Sequence, residues 1–282
     1  MKLEDRTEEQ GEVTAERIER LEQELAEAER ERHRIAAIHQ SLLPEAPPKI
    51  TGVQIAMSHV APHEAGGDYY DFIPRQRGNQ LEPDPDGRWL IVIADASGHG
   101  PAAAMIMAML QAVLHAYTGE DQEPGSILAF VNEQMSETLI EGAFVTALFA
   151  ILDPAKRQLS YSTAGHHPPL LKGLDGQVET MDISLGGPPL GVQAESEFGT
   201  HHYRFQPGES ILFFTDGAIE PRSPEGEEFT TRRLCETLQQ ADESPRKVLA
   251  QINRAIRKHR NGEAQDDDKT LVLLKFTGED VS

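Results

Sequence analysis

The segment Ile91–Met107, IVIADASGHGPAAAMIM, changes its character twice. It begins as a run of aliphatic residues typical of a buried strand, breaks at Asp95 into small residues, and continues as an Ala- and Met-rich helical pattern that starts at Pro101. An aspartate at the end of a strand stands where the backbone leaves the sheet, so its carboxylate can face a cleft without being buried in the core. The segment therefore predicts a strand, a tight turn and a helix, with Asp95 at the edge of a cleft.

Three other aspartates stand in similar positions, at a predicted strand end or turn beside small residues. They are Asp68 in AGGDYYDF, Asp216 in ILFFTDGAIE and Asp267 in QDDDKTLVLL. Carboxylates that converge repel one another, and a hard divalent cation such as Mg²⁺ or Mn²⁺ relieves that repulsion. Two such ions would make water nucleophilic enough at neutral pH to attack phosphorus. For each aspartate taken alone, a role in a turn or as a helix N-cap remains the alternative.

The order of strand and helix signals predicts the fold class. Strands come in runs and helices in pairs, which favours an α+β architecture over a doubly wound parallel sheet. We expect two packed antiparallel β-sheets flanked by helices, an α/β/β/α sandwich. The predicted strands are VQIAMSHV, WLIVIAD, FVTALFAILD, QLSYSTAG, PPLLKG, GESILFFTDG and TLVLLKF, and the predicted helices span 101–117, 124–140, 229–240 and 244–260.

Residues 1–43 form a separate segment before a domain that we expect to span residues 44–282. The segment is rich in Glu and Arg and ends before Pro44. It predicts one long helix that pairs with a second copy as a coiled coil, so a homodimer is expected. Because the seam contains a small and a charged residue, the pairing would be weak, and a single helix lying on the domain is the alternative. The a and d positions are Ile18, Leu21, Leu25, Ala28, Arg32, Ile35, His39 and Leu42, of which Arg32 and His39 are the polar exceptions.

Composition excludes several classes of function. The chain has 282 residues and a formal net charge of -21, which argues against a nucleic-acid-binding surface because such surfaces need clustered Lys and Arg. No segment approaches the roughly 20 apolar residues of a membrane helix, and the N-terminus lacks the apolar core of a signal peptide, so we expect a cytoplasmic protein without membrane insertion. The single cysteine, Cys235, excludes an intrachain disulfide and a multi-cysteine zinc site.

Seven motifs occur in an order that is specific as a set. They are GGDYYDF, ADASGHGPAAA, FVTALFAILDP, STAGHHPPLL, GGPPLGV, LFFTDGAIEPR and DDDKTLVLLKF. In this order the chain resembles the metal-dependent phosphatases of the PPM, or protein phosphatase 2C-like, superfamily. It resembles most closely the bacterial SpoIIE and RsbU branch, whose motifs read like GGDWYD, ADVSGHG, AGHPPPLL, TDG and DDxT. The resemblance covers about residues 38–277.

The resemblance implies a ligand set for two or more Mn²⁺ or Mg²⁺ ions. Asp68 and Asp95 would bind the second metal, with Asp95 bridging both ions and the backbone carbonyl of Ala96 as a further ligand. Asp216 and Asp267 would bind the first metal, since aligning DDDKT on its threonine selects Asp267 of the three acids. Lys269 replaces an apolar residue of the family pattern, and it would either weaken metal binding or point to solvent.

The resemblance also implies a protein serine/threonine phosphatase in which a metal-bridging water attacks the phosphoester directly. The chain has no Cys-x5-Arg loop that would supply a cysteine nucleophile. His99 could protonate the leaving oxygen, although its register differs from that of the DGHG motif of eukaryotic relatives. Ser97 is more simply a turn hydroxyl than a nucleophile. His166 and His167 are expected to shape a loop.

The partners are implied in the same way. The substrate would be a phosphorylated STAS-type anti-sigma-factor antagonist in a bacterial partner-switching pathway. An upstream sensor domain or activator would act through the N-terminal helix and through the helices at about 101–117 and 124–140. Two alternatives stay open: a regulated interaction module with a silent or conditionally active phosphatase centre, and a two-metal hydrolase of nucleotides or nucleic acid, which the acidic surface disfavours.

Overall fold

A computed structural model gives the fold of the chain. It describes residues 4–61, 66–75, 84, 87–117, 119, 123–241, 244–263, 265 and 267–277, with side chains from residue 17 onward. No helix within these residues is long and apolar enough to cross a membrane.

The described residues form two five-stranded sheets in which all neighbouring strands are antiparallel. The first sheet has the order β1-β10-β9-β6-β7, and the second has the order β2-β3-β4-β5-β8. The strands are β1 (Val53–Val60), β2 (Asp68–Arg75), β3 (Arg88–Ala96), β4 (Val145–Asp153), β5 (Gln158–Ala164), β6 (Leu170–Lys172), β7 (Val178–Thr180), β8 (His201–Arg204), β9 (Ser210–Phe214) and β10 (Lys269–Phe276).

Helices cover the outer face of each sheet. The helices are α1 (Glu4–Leu42), α2 (Pro101–Ala116), α3 (Pro124–Thr138), α4 (Thr230–Gln240) and α5 (Pro245–His259). The second sheet packs against α2 and α3, and the first packs against α4 and α5. The predicted α/β/β/α sandwich is therefore confirmed.

Strand β10 shows how the sequence pattern produces this layering. Its side chains alternate between two faces, as the period of a strand requires. Leu271 and Leu273 pack into the cluster under α4 and α5, whereas Val272 and Leu274 join the larger core between the sheets. A strand covered on both faces is apolar throughout, which is why TLVLLKF lacks the polar alternation of a half-exposed strand.

Three strands were not predicted, and each lies at or next to a sheet edge. β2 carries Asp and Pro within DYYDFIPR, and it is the edge strand of the second sheet. β7 and β8 are short, partly exposed edge strands. Edge strands need fewer apolar residues and tolerate proline, so propensity alone does not reveal them.

The long N-terminal helix is present as predicted, and its two ends have different environments. Ile18, Leu21 and Leu25 are 51%, 53% and 57% exposed. At the other end, His39 is buried and the Leu42 carbonyl accepts a hydrogen bond of 3.0 Å from Gln111 Nε2 on α2. The last heptad of the predicted seam thus packs on the chain's own domain, and only the N-terminal part remains open to a partner.

Candidate active site

Antiparallel pairing brings the four predicted aspartates to one end of the sandwich. Asp68 begins β2 and pairs in register with Asp95 near the end of β3. Asp216 follows β9, and Asp267 precedes the neighbouring strand β10. Because the start of one strand lies beside the end of its antiparallel neighbour, each sheet contributes two aspartates to the same edge.

Asp68 is the best-fixed member of the group. Its side chain is buried, and its Oδ2 accepts hydrogen bonds from Thr270 Oγ1 at 2.7 Å and from Thr215 Oγ1 at 2.8 Å. Both threonines belong to the first sheet, whereas Asp68 belongs to the second. The carboxylate therefore joins the two sheets at the site.

The carboxylates raise one another's pKa values. Burial, followed by the charge of Asp95, raises the pKa of Asp68 well above its usual value. Burial, followed by the charges of Asp216 and Asp267, raises the pKa of Asp95 to about 8. Burial, followed by the charge of Asp267, raises the pKa of Asp216 to about 6. Such a group gains free energy from a bound cation, because the cation favours the ionised form of every carboxylate.

Glycine allows the backbone to approach these carboxylates closely. A Cβ at Gly67 would lie 2.9 Å from the Ala96 carbonyl oxygen and 3.2 Å from Asp95 Oδ1. The Ala96 carbonyl and the Asp95 carboxylate therefore face the same small space beside Gly67. This is the arrangement expected if both serve as oxygen ligands, and only glycine leaves room for it.

The two adjacent acids before β10 have different surroundings. Asp267 is exposed and lies in the cleft, where its Oδ1 accepts a hydrogen bond of 2.8 Å from the Asp268 backbone N–H. Asp268 is buried, and its Oδ2 accepts a hydrogen bond of 2.5 Å from the Gly67 N–H. The third acid of the motif, Asp266, lies outside the described residues. Asp268, which the family motif gives only as the neighbour of Asp267, is thus a fifth carboxylate of the group.

The donor set fits a divalent cation, although the side chains do not yet enclose one. Among the described residues, Oδ1 of Asp68 is buried and has no hydrogen-bond partner. Uncompensated carboxylate oxygens of this kind are costly unless a cation or water meets them. Over the same residues, however, no three Asp, Glu, His or Cys side chains are already arranged to hold an ion together.

A cleft of about 380 Å³ opens above the carboxylates. The β3–α2 turn forms one side of it, and that side includes the exposed His99. Ser97 lies in the same turn, where its Oγ accepts a hydrogen bond of 3.0 Å from the Phe144 N–H and its own N–H donates to the Phe144 carbonyl at 2.9 Å. Ser97 thus has the predicted turn role. The cleft is lined by Gly98, His99, Gly217, Glu220, Pro221, Arg222, Arg260, Gln265 and Asp267.

His166 joins the sheets on the other side of Asp95. Its Nε2 donates to the Phe214 carbonyl at 3.2 Å, and its Nδ1 accepts from Thr146 Oγ1 at 2.9 Å. Burial, followed by the nearby His167, lowers the pKa of His166 to about 3, which keeps the ring neutral. These contacts agree with the predicted loop-shaping role.

Sequence reasoning missed the histidines behind Asp68. His59 Nδ1 lies 3.0 Å from Thr270 Oγ1, and because that hydroxyl donates its proton to Asp68, the ring nitrogen is the donor. His39 on α1 hydrogen bonds to the backbone of Asp68. Burial, followed by His39, lowers the pKa of His59 to about 4. The only sequence signal was the polar position of His39 in an apolar seam.

The environment of Lys269 corrects one of the two expectations for this residue. The side chain is 5% exposed, so it does not point to solvent. Because residues alternate along β10, Lys269 faces α5 whereas Thr270 faces Asp68. Burial, followed by the charges of Arg260 and Arg257, lowers the pKa of Lys269 to about 8.

Comparisons with known proteins identify the family. The family model described as Stage II sporulation protein E (SpoIIE) matches residues 85–277. Protein IcfG of Synechocystis sp. is 26% identical over an alignment of 264 positions, which covers 84% of this chain and 40% of IcfG. Phosphoserine phosphatase RsbU of Bacillus subtilis is 24% identical over 242 residues, which are 85% of this chain and 68% of RsbU. The chain therefore spans less than half of IcfG and about two thirds of RsbU.

Solved structures agree on the fold. The SiaA-PP2C domain of Pseudomonas aeruginosa superposes with a TM-score of 0.73 at 20% identity, covering 89% of this chain and 97% of that domain. The catalytic domain of the serine/threonine protein phosphatase PstP, solved with two manganese ions, superposes with a TM-score of 0.54 at 17% identity. The superposition covers 80% of this chain and 98% of that domain. The family match, together with the two-sheet architecture, places the chain: it belongs to the SpoIIE family and has the PP2C-type phosphatase fold.

Proposed function

We propose that this chain is a Mn²⁺- or Mg²⁺-dependent phosphatase that hydrolyses phosphoserine or phosphothreonine in a protein partner. The observation that carries the proposal is the convergence of two aspartates from each sheet on one end of the sandwich, where Asp267 lines an open cleft and a buried Asp68 oxygen lacks a hydrogen-bond partner. Two of the similar proteins support the same chemistry by their names. RsbU is named a phosphoserine phosphatase, and PstP is named a serine/threonine protein phosphatase in complex with two manganese ions.

Each residue has a defined task in this mechanism. Two cations would be held by five groups: Asp68, Asp95, Asp216, Asp267 and the Ala96 carbonyl. When bound, the cations would supply Lewis acidity and make hydroxide available near pH 7. Thr215 and Thr270 orient Asp68 through its Oδ2. Gly98 leaves room in the cleft for the phosphoryl group, and His99 is exposed there, where it can give a proton to the leaving oxygen.

The test is phosphate release from a phosphoserine protein with and without Mn²⁺. We expect turnover only with the metal, and we expect Asp95→Asn to reduce it by orders of magnitude because Asp95 would bridge both ions. Asp175→Asn, at an exposed turn between β6 and β7, is the matched control and should behave as the wild type. If the wild type has no metal-dependent turnover while partner binding persists in Asp95→Asn, the chain is instead an interaction module with a silent centre.

The proposed substrate is a phosphorylated STAS-type anti-sigma-factor antagonist. This follows from the resemblance to the RsbU branch and from the RsbU relative named above. We expect kcat/KM on such a phosphoprotein to exceed that on an unrelated phosphoserine peptide. Equal values on both would argue against this substrate.

Regulation through residues 1–43 completes the proposal. We propose that a sensor domain or activator acts on this segment, that two copies pair through it, and that the domain proper spans residues 44–282. Two contacts support a link from α1 to the site: the hydrogen bond of His39 to the Asp68 backbone, and the 3.2 Å hydrogen bond from the Tyr70 hydroxyl on β2 to the Pro44 carbonyl.

The dimer can be tested without disturbing the domain. Leu21→Ser with Leu25→Ser removes exposed apolar side chains, and sedimentation should then show monomers where the wild type shows dimers. Gln23→Ser, on the opposite face of the helix, is the control. If the wild type is already monomeric at micromolar concentration, pairing through α1 is not an intrinsic property of this chain.

A further inference from the structure

The cleft carries positive charge that the metal chemistry does not use. Four of its side chains are charged: Glu220 and Asp267 are acidic, and Arg222 and Arg260 are basic. A cleft made only of carboxylates would repel a phosphate dianion before any cation was bound. The two arginines are therefore the groups in this lining that can attract the phosphoryl group directly.

The two arginines differ in how far they are fixed. The Arg222 side chain is 66% exposed and pairs with Glu228 Oε1 at 2.6 Å. Arg260 is 6% exposed and follows the last residue of α5, where its backbone N–H still donates to the Ile256 carbonyl. A side chain held by packing loses little conformational entropy on binding a ligand, whereas an exposed one loses more. Arg260 is therefore the better prepared of the two.

The surroundings of Arg260 reinforce its preference for an anion. Lys269 on β10 is also buried and lies close enough to Arg260 for their charges to interact, and Arg257 adds a third positive charge from α5. Like charges that are gathered in a poorly solvated place are stabilised by an anion that reaches them. Of the three, Arg260 is the one that lines the cleft.

We propose that Arg260 binds the phosphoryl group of the substrate in the cleft that it lines together with Asp267. This inference rests on the proposed phosphatase function. A guanidinium can offer two parallel N–H donors to two phosphate oxygens, which an ammonium cannot do. Inorganic phosphate, the product, presents the same oxygens and would bind at the same place.

The experiment compares Arg260→Gln and Arg260→Lys with Arg246→Gln, an exposed arginine in the first turn of the same helix. The probes are a phosphoserine peptide and inorganic phosphate, with Mn²⁺ present. We expect Arg260→Gln to raise both the KM for the peptide and the inhibition constant for phosphate about 10- to 100-fold, which corresponds to the loss of a charge-assisted hydrogen bond. Arg260→Lys should give a smaller increase, and Arg246→Gln should leave both constants unchanged.

Three further measurements separate this role from a structural one. Thermal unfolding checks that each variant is folded, and Arg260→Lys, which keeps the charge and most of the packing, decides the question if Arg260→Gln does not fold. The Mn²⁺ concentration at half-maximal activity should be unchanged in the Arg260 variants. A shifted Mn²⁺ midpoint with unchanged phosphate inhibition would overturn the inference and would indicate that Arg260 only holds Asp267 in place.

Failure of the inference can be told apart from failure of the proposed function. If the wild type does not hydrolyse the peptide, calorimetric titration with inorganic phosphate still reports on Arg260, and binding should weaken in Arg260→Gln. If the wild type is active and the variants retain its KM and phosphate inhibition within twofold, Arg260 does not bind the phosphoryl group, while the phosphatase function stands.

Discussion

The two sides of the carboxylate cleft are built differently. On the closed side, formed by Asp68 and Asp95, the backbone is paired in register and Asp68 is held by two threonine hydroxyls. On the open side, formed by Asp216 and Asp267, the acids lie just outside their strands, and Asp267 is exposed beside the arginines. One side is held by hydrogen bonds between the two sheets, and the other is more exposed.

The two sides suit two different functions that metal-dependent hydrolysis requires of its ligands. A ligand that is rigid before the metal binds fixes the position of the ion, because its rotamer is already selected. A ligand that solvent reaches lies where metal and substrate enter and leave. The closed side therefore suits the first function, and the open side suits the second.

The largest expected effect tests which acid serves the open side. Asp267→Asn should raise the Mn²⁺ concentration at half-maximal activity by about tenfold or more, since a charged ligand is lost. Asp268→Asn should mainly change stability, because the side chain is buried against the Gly67 N–H. The measurements are activity against Mn²⁺ concentration and thermal unfolding of both variants. The reverse pattern would transfer the ligand role to Asp268.

A smaller effect tests the rigidity of the closed side. Thr270→Val removes a hydroxyl that donates to Asp68 and accepts from His59, which leaves a buried carboxylate with one donor fewer. We expect the free energy of unfolding to fall by about 1–3 kcal/mol. Thr138→Val, at an exposed position of α3 where the hydroxyl bonds only to its own helix, is the control. Urea unfolding measures the free energy of unfolding of both variants. Equal losses of this free energy in Thr270→Val and Thr138→Val would mean that Thr270 does not fix Asp68.

The last effect appears only as the pH falls and concerns His166, which joins the two sheets beside the site. Because its pKa in the folded protein is lowered to about 3, the unfolded chain binds the proton first as the pH falls. His166 therefore costs the wild type stability below about pH 6.5, by up to about 1.4 kcal/mol per pH unit. His166→Asn removes this cost, although it also removes packing at every pH.

The measurement for His166 is the difference in unfolding free energy between the wild type and the variant from pH 7 to pH 4, without added metal. The amount by which the unfolding free energy of the wild type exceeds that of the variant should shrink as the pH falls. The metal-free carboxylates oppose this trend in both proteins, since a raised carboxyl pKa adds stability at lower pH, and they cancel in the difference. A difference that does not change with pH would show that His166 is not buried in its neutral form.

The sequence by itself determined much of the scaffold of this protein. Apolar runs of strand length, glycines and prolines at their ends, and amphipathic helical periods predicted most elements within a few residues, because these signals are local. They did not reveal β2, although it carries Asp68, since an edge strand with internal polar residues lacks the apolar pattern. The aspartates were found because each stands at a predicted strand end or turn.

Only the tertiary structure decided what surrounds those aspartates. Three of these surroundings depend on contacts between residues far apart in sequence. Asp68 contacts Thr215 and Thr270, and His39 of the N-terminal helix reaches the Asp68 backbone. Lys269 is buried beside Arg260. Such contacts follow from how two sheets and their covering helices pack, and no local pattern encodes their distances. The sequence thus determined which residues stand at strand ends, and packing decided which of them meet.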